Sequence, residues 1–233
     1  SVELDVSNFD AVVAIAAAVW KTRPHRAQPE IVTSPSAAIA VLPLRNLSGN
    51  PSLQWMEDAI PEMLNAALSR SGDLRVLDRL RLVEILQELG RETTGRIEEA
   101  DAMAMARRAR VGTLITGEIV GSGSTIRVQC KVVDASTGRL LHSEIVEGAG
   151  DDDVFKMVAQ LTDALQTYLH IQAVGETVDE TWVRDVTSRS LDAFRHYVRG
   201  RSLLMSSQWV EARGELEAAI AADSNFVMAY VDL

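Results

Sequence analysis

Residues 39–44 (Ile39, Ala40, Val41, Leu42, Pro43, Leu44) form a short, nearly continuous apolar run that stops at Arg45 and Asn46 and a Gly49, Asn50, Pro51 cluster. A run without polar alternation predicts an interior strand with neighbours on both edges, and such a strand needs helices above and below it. Apolar stripes supply them. Ile60, Met63, Leu64, Ala67 and Leu68 recur at helical spacing, with Pro61 expected in the first turn. Residues 74–77 read as a second short strand, and Asp78 is placed to cap a helix whose Leu82, Ile85, Leu86 and Leu89 face the core until Gly90 ends it. After a polar loop at 91–96, Ala102, Met105, Ala106 and Ala109 share one stripe of a third helix.

Three strands follow, at 113–120, 125–133 and 139–147, separated by turns at 121–124 and 134–138. In the middle strand Ile126, Val128, Cys130 and Val132 alternate with Arg127, Gln129 and Lys131, so one face is buried and the other wet. A helix over 154–169 then turns Val154, Met157, Leu161, Leu165 and Tyr168 inward. The order β-α-β-α-α-β-β-β-α predicts an α/β (α+β) mixed-sheet sandwich over residues 37–172.

The ends differ in character. Residues 11–20, from Ala11 to Trp20, are all apolar, but ten helical residues rise only about 15 Å, half of a bilayer's hydrocarbon core. Trp20 followed by Lys21, Arg23 and Arg26 resembles the exit of a membrane helix. Two readings stand: the remnant of a membrane anchor, or a short Ala-rich helix packed on a neighbour. Pro24, Pro29 and Pro35 make residues 22–36 of the amino-terminal segment 1–36 a tether. Residues 173–190 read as a linker or an irregular bridging helix, and residues 191–233 as helices broken at Ser206, Ser207 and Gln208.

Composition narrows the function. A net charge of -10 argues against a surface that tracks nucleic-acid phosphates. Cys130 is the single cysteine and excludes an intrachain disulfide; on a buried strand face it reads as a core residue. His25, His142, His170 and His196 lack metal-ligand or triad spacing. Residues 121–124 (Gly121, Ser122, Gly123, Ser124) lie between strands and lack the Lys of a phosphate loop, Asp151 to Asp153 suit a helix N-terminus, and Asn46 to Ser48 matches a glycosylation pattern inside a loop. No catalytic, cofactor-binding or metal-binding residue is assigned, and no cofactor is expected.

Two resemblances add to this reading. Residues 39–148 resemble the amino-terminal-type domain of TolB and the related flagellar (FlgO-like) and curli (CsgG-like) assembly domains. The matching pieces are Ile39 to Pro43, Asn46 to Pro51, Leu68 to Arg70, Leu74 to Val76, Ala109 to Gly112, Thr116 to Ile119 and Val132 to Gly138. Residues 193–226 resemble a tetratricopeptide repeat through Gly200, Trp209, Ala212, Leu216, Ala219 and the Asp223 to Phe226 segment, where Ser224 replaces the family's proline; Ala229 and Tyr230 look like the opening of a second repeat. The repeat resemblance implies an all-α helical hairpin, with Gly200 and Ala219 near the crossing.

Together the two resemble the non-catalytic part of bacterial membrane signalling proteins whose other part is a Ser/Thr kinase, a nucleotide cyclase or a DNA-binding regulator. The resemblance implies a sensing and protein-interaction module that binds a protein or peptide through its repeat groove and is not itself an enzyme. The alternative it implies is an envelope assembly or secretion component that self-associates through the CsgG-like domain. The basic residues after Trp20 favour a cytoplasmic folded part, whereas the envelope families favour the periplasmic side. An apolar strip at Phe226, Met228 and Tyr230 is expected to stand uncovered.

Overall fold

Interior strand β1 (Ala38–Val41) is buried along its whole length and pairs in parallel with β3 (Arg75–Leu77) on one edge and β4 (Thr113–Ser122) on the other. These contacts come from a computed structural model that describes residues 38–70, 74–91, 97–170 and 178–233. Residues 1–37, with the apolar stretch 11–20 and its two readings, lie outside the described residues.

The apolar run is not one strand. Pro43 has no N–H for a ladder, so β1 ends at Val41; Leu42 still donates to the Ile115 carbonyl at 2.8 Å, and the chain rejoins β4 as β2 (Arg45–Asn46). Strands β5 (Thr125–Asp134) and β6 (Leu140–Gly148) continue antiparallel, which gives a six-stranded mixed sheet in the order β3-β1-β4-β5-β6, with β2 beside β4. Gly123, at φ +61°, occupies the left-handed position of the tight β4–β5 turn.

Helices cover both faces. α1 (Met56–Ser69) and α4 (Val154–Tyr168) pack with Ile39, Val41, Ile115, Val128 and Cys130, whereas α2 (Arg79–Glu88) and α3 (Glu99–Ala109) pack with Ala38, Ala40, Leu42 and Leu114. The alternation of β5 and the inward stripes of α1 and α4 match these two layers. Two details depart from periodicity. Helix α1 begins at Met56, so Pro61 stands inside it rather than in its first turn, and Leu89 caps α2 at 37% exposure rather than joining the core.

Within 173–190 a short helix, α5 (Glu180–Val186), is capped by Asp179 and buries Val183 in the core that α1 and α4 share. Then α6 (Leu191–Met205) and α7 (Trp209–Ala222) form an antiparallel hairpin, followed by α8 (Val227–Asp232). A Cβ on Gly200 would lie 2.9 Å from Leu216 Cγ and 3.3 Å from the Ala212 carbonyl oxygen, so the helices cross closest there; Ala219 is buried beside them. The expected apolar strip is displaced. Phe226 is fully buried against Phe194 and Tyr197, at centroid distances of 5.8 and 4.9 Å, and Met228 is half-buried. Tyr230 is exposed as expected, and Trp209, Val210, Val227, Val231 and Leu233 are exposed with it, because α8 folds back over the aromatic face of α6.

Candidate functional site

The hairpin is tied to the α/β unit by a buried ionic joint. Arg201 lies one and two turns beyond Tyr197 and Phe194 on the inward face of α6 and is 4% exposed. Its Nη1 donates to Glu62 Oε2 at 2.7 Å, its Nη2 lies 3.3 Å from both Asp78 carboxylate oxygens, and its Nε is 3.4 Å from Asp232 Oδ2. One guanidinium thereby engages α1, the N-cap of α2 and α8. Glu62, 2% exposed, also faces Arg79 Nη1 at 3.7 Å, and Arg79 pairs with Asp58 at 2.5 Å.

Burial pushes the Glu62 carboxyl above its ordinary value, against the pull of Arg201 and Arg79. Burial also raises the Tyr197 phenol, whose hydroxyl donates to Asp232 Oδ2 at 3.0 Å. Arg201 loses hydration by burial, but the carboxylates of Glu62, Asp78 and Asp232 more than compensate and hold it charged. Because every charge here has an opposite partner, the joint survives desolvation only as a set.

Beside this joint opens a cleft of about 1310 Å³. The β1–β2 connection lines it with Leu42 and Pro43, α2 with Arg79, Leu82 and Val83, the sheet with Leu114, Glu118 and Lys131, and α6 with Arg195, Val198, Ser202 and Met205. Several of its charges are compensated as well. Glu118 pairs with Arg45 and, at 3.2 Å, with Lys131; burial would raise its carboxyl, but these bonds outweigh burial and hold it below the usual range. Arg195 stacks 4.8 Å over the Trp55 ring and pairs with Asp151. The lining thus combines apolar side chains with several paired charges.

The residues singled out by sequence are scattered around this site. Asp151 engages Arg195, Gly123 and Ser124 make the hairpin turn, and Cys130 is buried with its thiol pushed up to about 12, chiefly by desolvation. His142 stacks on Tyr168 at 4.5 Å, His196 Nδ1 lies 2.7 Å from Glu215 Oε2, and His170 follows α4; His25 lies outside the described residues. Asn46 accepts from Ser48 N at 3.0 Å and donates to the Asn50 carbonyl at 2.8 Å, so its side chain is the staple of its own loop. Among the described residues no cluster of three or more His, Cys, Asp or Glu is placed to hold a metal ion.

Sequence reasoning missed Glu62, Arg79 and Arg201. The available signals were a carboxylate beside the Ile60, Met63, Leu64 stripe and a guanidinium on the same helical face as Phe194 and Tyr197. Each sits where its helix buries apolar neighbours.

No protein-family model matches the chain. It is similar to a putative adenylate cyclase 3 of Rhizobium meliloti (strain 1021), 24% identical over 208 residues, which covers 88% of this chain and 33% of that protein. The chain therefore spans about a third of the length of this curated relative. Among solved structures, the LpoB C-terminal domain from Salmonella enterica matches with a TM-score of 0.40 and 18% identity over 48% of this chain and 82% of that one. TolB from Acinetobacter baumannii matches with a TM-score of 0.37 and 15% identity over 57% and 28%, and a PelC dodecamer subunit from Paraburkholderia phytofirmans with 0.39 and 14% over 60% and 91%.

Proposed function

We propose that this chain is the non-catalytic sensing and protein-interaction module of a bacterial membrane-associated signalling protein. The α/β unit receives a partner or an envelope signal in the cleft. Hairpin α6–α7, as a tetratricopeptide repeat with α8 opening a second, binds a protein or peptide. The observation that carries this reading is the ionic joint, since Arg201 on the hairpin holds residues from both α1 and the α2 cap beside the cleft. An occupant that parts α2 from α6 thereby changes the seating of the hairpin.

The likeness to a putative adenylate cyclase supports the same role, because an alignment of that length necessarily includes the α/β unit and α6, and occupies only a third of that protein. A catalytic region would then stand elsewhere in a longer chain. The site proposed is the cell envelope, on the extracytoplasmic side of the inner membrane, with residues 11–20 as anchor; the alternative is cytoplasmic. One observation favours the second reading, an envelope assembly component that oligomerises through the α/β unit: among the described residues no strand pairs with the outer edge of β6.

The test is made in cells with the longer protein, carrying photo-cross-linkers at Met103 in the cleft and at Val210 on the hairpin. The expected result is a defined protein adduct at one or both positions, together with altered cyclic-nucleotide output for Arg201→Gln. Absence of adducts with unchanged output overturns the reading, as does nucleotide turnover by the isolated chain.

A further inference from the structure

Strand β6 ends the sheet, and among the described residues no backbone bond beyond its ladder with β5 is made by residues 140–148. A free edge offers a row of unpaired N–H and C=O groups, which proteins ordinarily blunt with lysine, proline, a β-bulge or a covering loop or helix, and here a bulge blunts only the 140–141 end. None of these residues is lysine or proline, and Leu140 and Ile145 are 55% and 52% exposed. The ladder is regular from His142 to Gly148; Leu141 is the extra residue of a bulge opposite the Val132–Val133 step.

The polar side chains on this edge select its occupant. His142 and Glu144 lie on the same face of β6, either side of Ser143, with Nε2 and Oε2 3.5 Å apart. A two-fold axis keeps each face of a joined sheet on one side, so β6 can meet a second β6 only in registers centred on a residue. Centring on Glu144 sets two carboxylates against each other. Centring on Ser143 places each His142 opposite the other copy's Glu144. Every other centre leaves His142 and Glu144 unmatched; centred on Ile145, for example, Glu144 lies opposite Val146 and His142 opposite Gly148. We propose that β6 is a self-association edge on which a second copy of this chain pairs antiparallel, with the two-fold axis at Ser143.

The contact is short, since the bulge at Leu141 interrupts the ladder on each side, and it is expected to be concentration-dependent. It does not rest on the sensing role proposed above. Cysteine cross-linking of the full chain tests it, because Cys130 is buried and does not compete. Ser143→Cys brings two thiols directly opposite, within the roughly 7 Å Cα limit of a disulfide. Ile145→Cys leaves them about 13 Å apart, four residues along a strand. The expected result is a covalent dimer for Ser143→Cys under mild oxidation and none for Ile145→Cys. In sedimentation equilibrium, Glu144→Lys weakens dimerisation at least tenfold, and the swapped double variant H142E/E144H restores it. A chain that stays monomeric at its highest soluble concentration, with no Ser143→Cys dimer, overturns the proposal. So does cross-linking through Ile145→Cys instead, or protection of β6 that appears only with a heterologous peptide.

Discussion

The Leu44 backbone N–H donates to the Glu57 carbonyl oxygen at 2.9 Å, and that carbonyl is available because Pro61, four residues further along α1, has no N–H to offer. A proline that would weaken an isolated helix here frees an acceptor for the chain leaving β1. The Glu57 side chain extends the same contact, with Oε1 accepting from Asn46 N at 2.6 Å. Helix α1 thereby holds the loop that forms one wall of the cleft.

Replacing Glu57 by Ala removes the side-chain half of this contact and leaves the Asn46 amide without its acceptor. A hydrogen bond to a charged group at a half-buried position predicts a loss of about 1–2 kcal/mol. The urea midpoint should fall with unchanged slope, and amide exchange should quicken at Asn46.

Val41 is 1% exposed in the interior strand. Val41→Asp places a carboxylate there without a partner, at a cost of several kcal/mol against a typical total of about 5–15. Expression should yield insoluble or non-cooperatively unfolding protein; a soluble variant with a sharp thermal transition would contradict the sheet assignment.

At Gly200 two effects oppose each other. Alanine gains about 0.5–1 kcal/mol of helix preference, but its Cβ would press on Leu216 Cγ at 2.9 Å, a branch atom held close to its own backbone. Overpacking of about 1–3 kcal/mol wins, so Gly200→Ala destabilises and Gly200→Leu does so more strongly. Thermal melts of both, and of G200A combined with Leu216→Ala, check this; the combination should cost less than the sum of its parts.

Removing one member of the Glu62–Arg201 pair strands a buried charge. Arg201→Met alone should cost about 3–5 kcal/mol, whereas Arg201→Met with Glu62→Leu should cost distinctly less. A double-mutant cycle in denaturant reads the difference, and an additive result would show that the joint contributes no coupling.

Asp134 Oδ1 accepts from Ser136 Oγ and N and from Thr137 N and Oγ1, at 2.6–2.9 Å, and these bonds hold its carboxyl down at about 2 against an ordinary 3.8. A carboxyl depressed in the folded state adds stability that is complete above 3.8 and lost as pH falls through about 2. Asp134→Asn keeps an acceptor oxygen but cannot titrate. Its stability should therefore fall less than that of the native chain between those two pH values.

The sequence by itself determined the succession of the main strands and helices, the buried face of β5 and the Asp78 cap. Each is written in local spacing, where a period of two or 3.6 reports which side of an element meets apolar neighbours. Tertiary structure alone decided where the apolar run breaks, because the break depends on whether the Leu44 amide finds the Glu57 carbonyl. It decided that Phe226 is covered, because α8 turns back onto Phe194 and Tyr197. It also made the joint, since Glu62 and Arg201 stand 139 positions apart and no periodicity relates them. A charged side chain in isolation reads as solvated; only a partner brought across the fold lets it be buried.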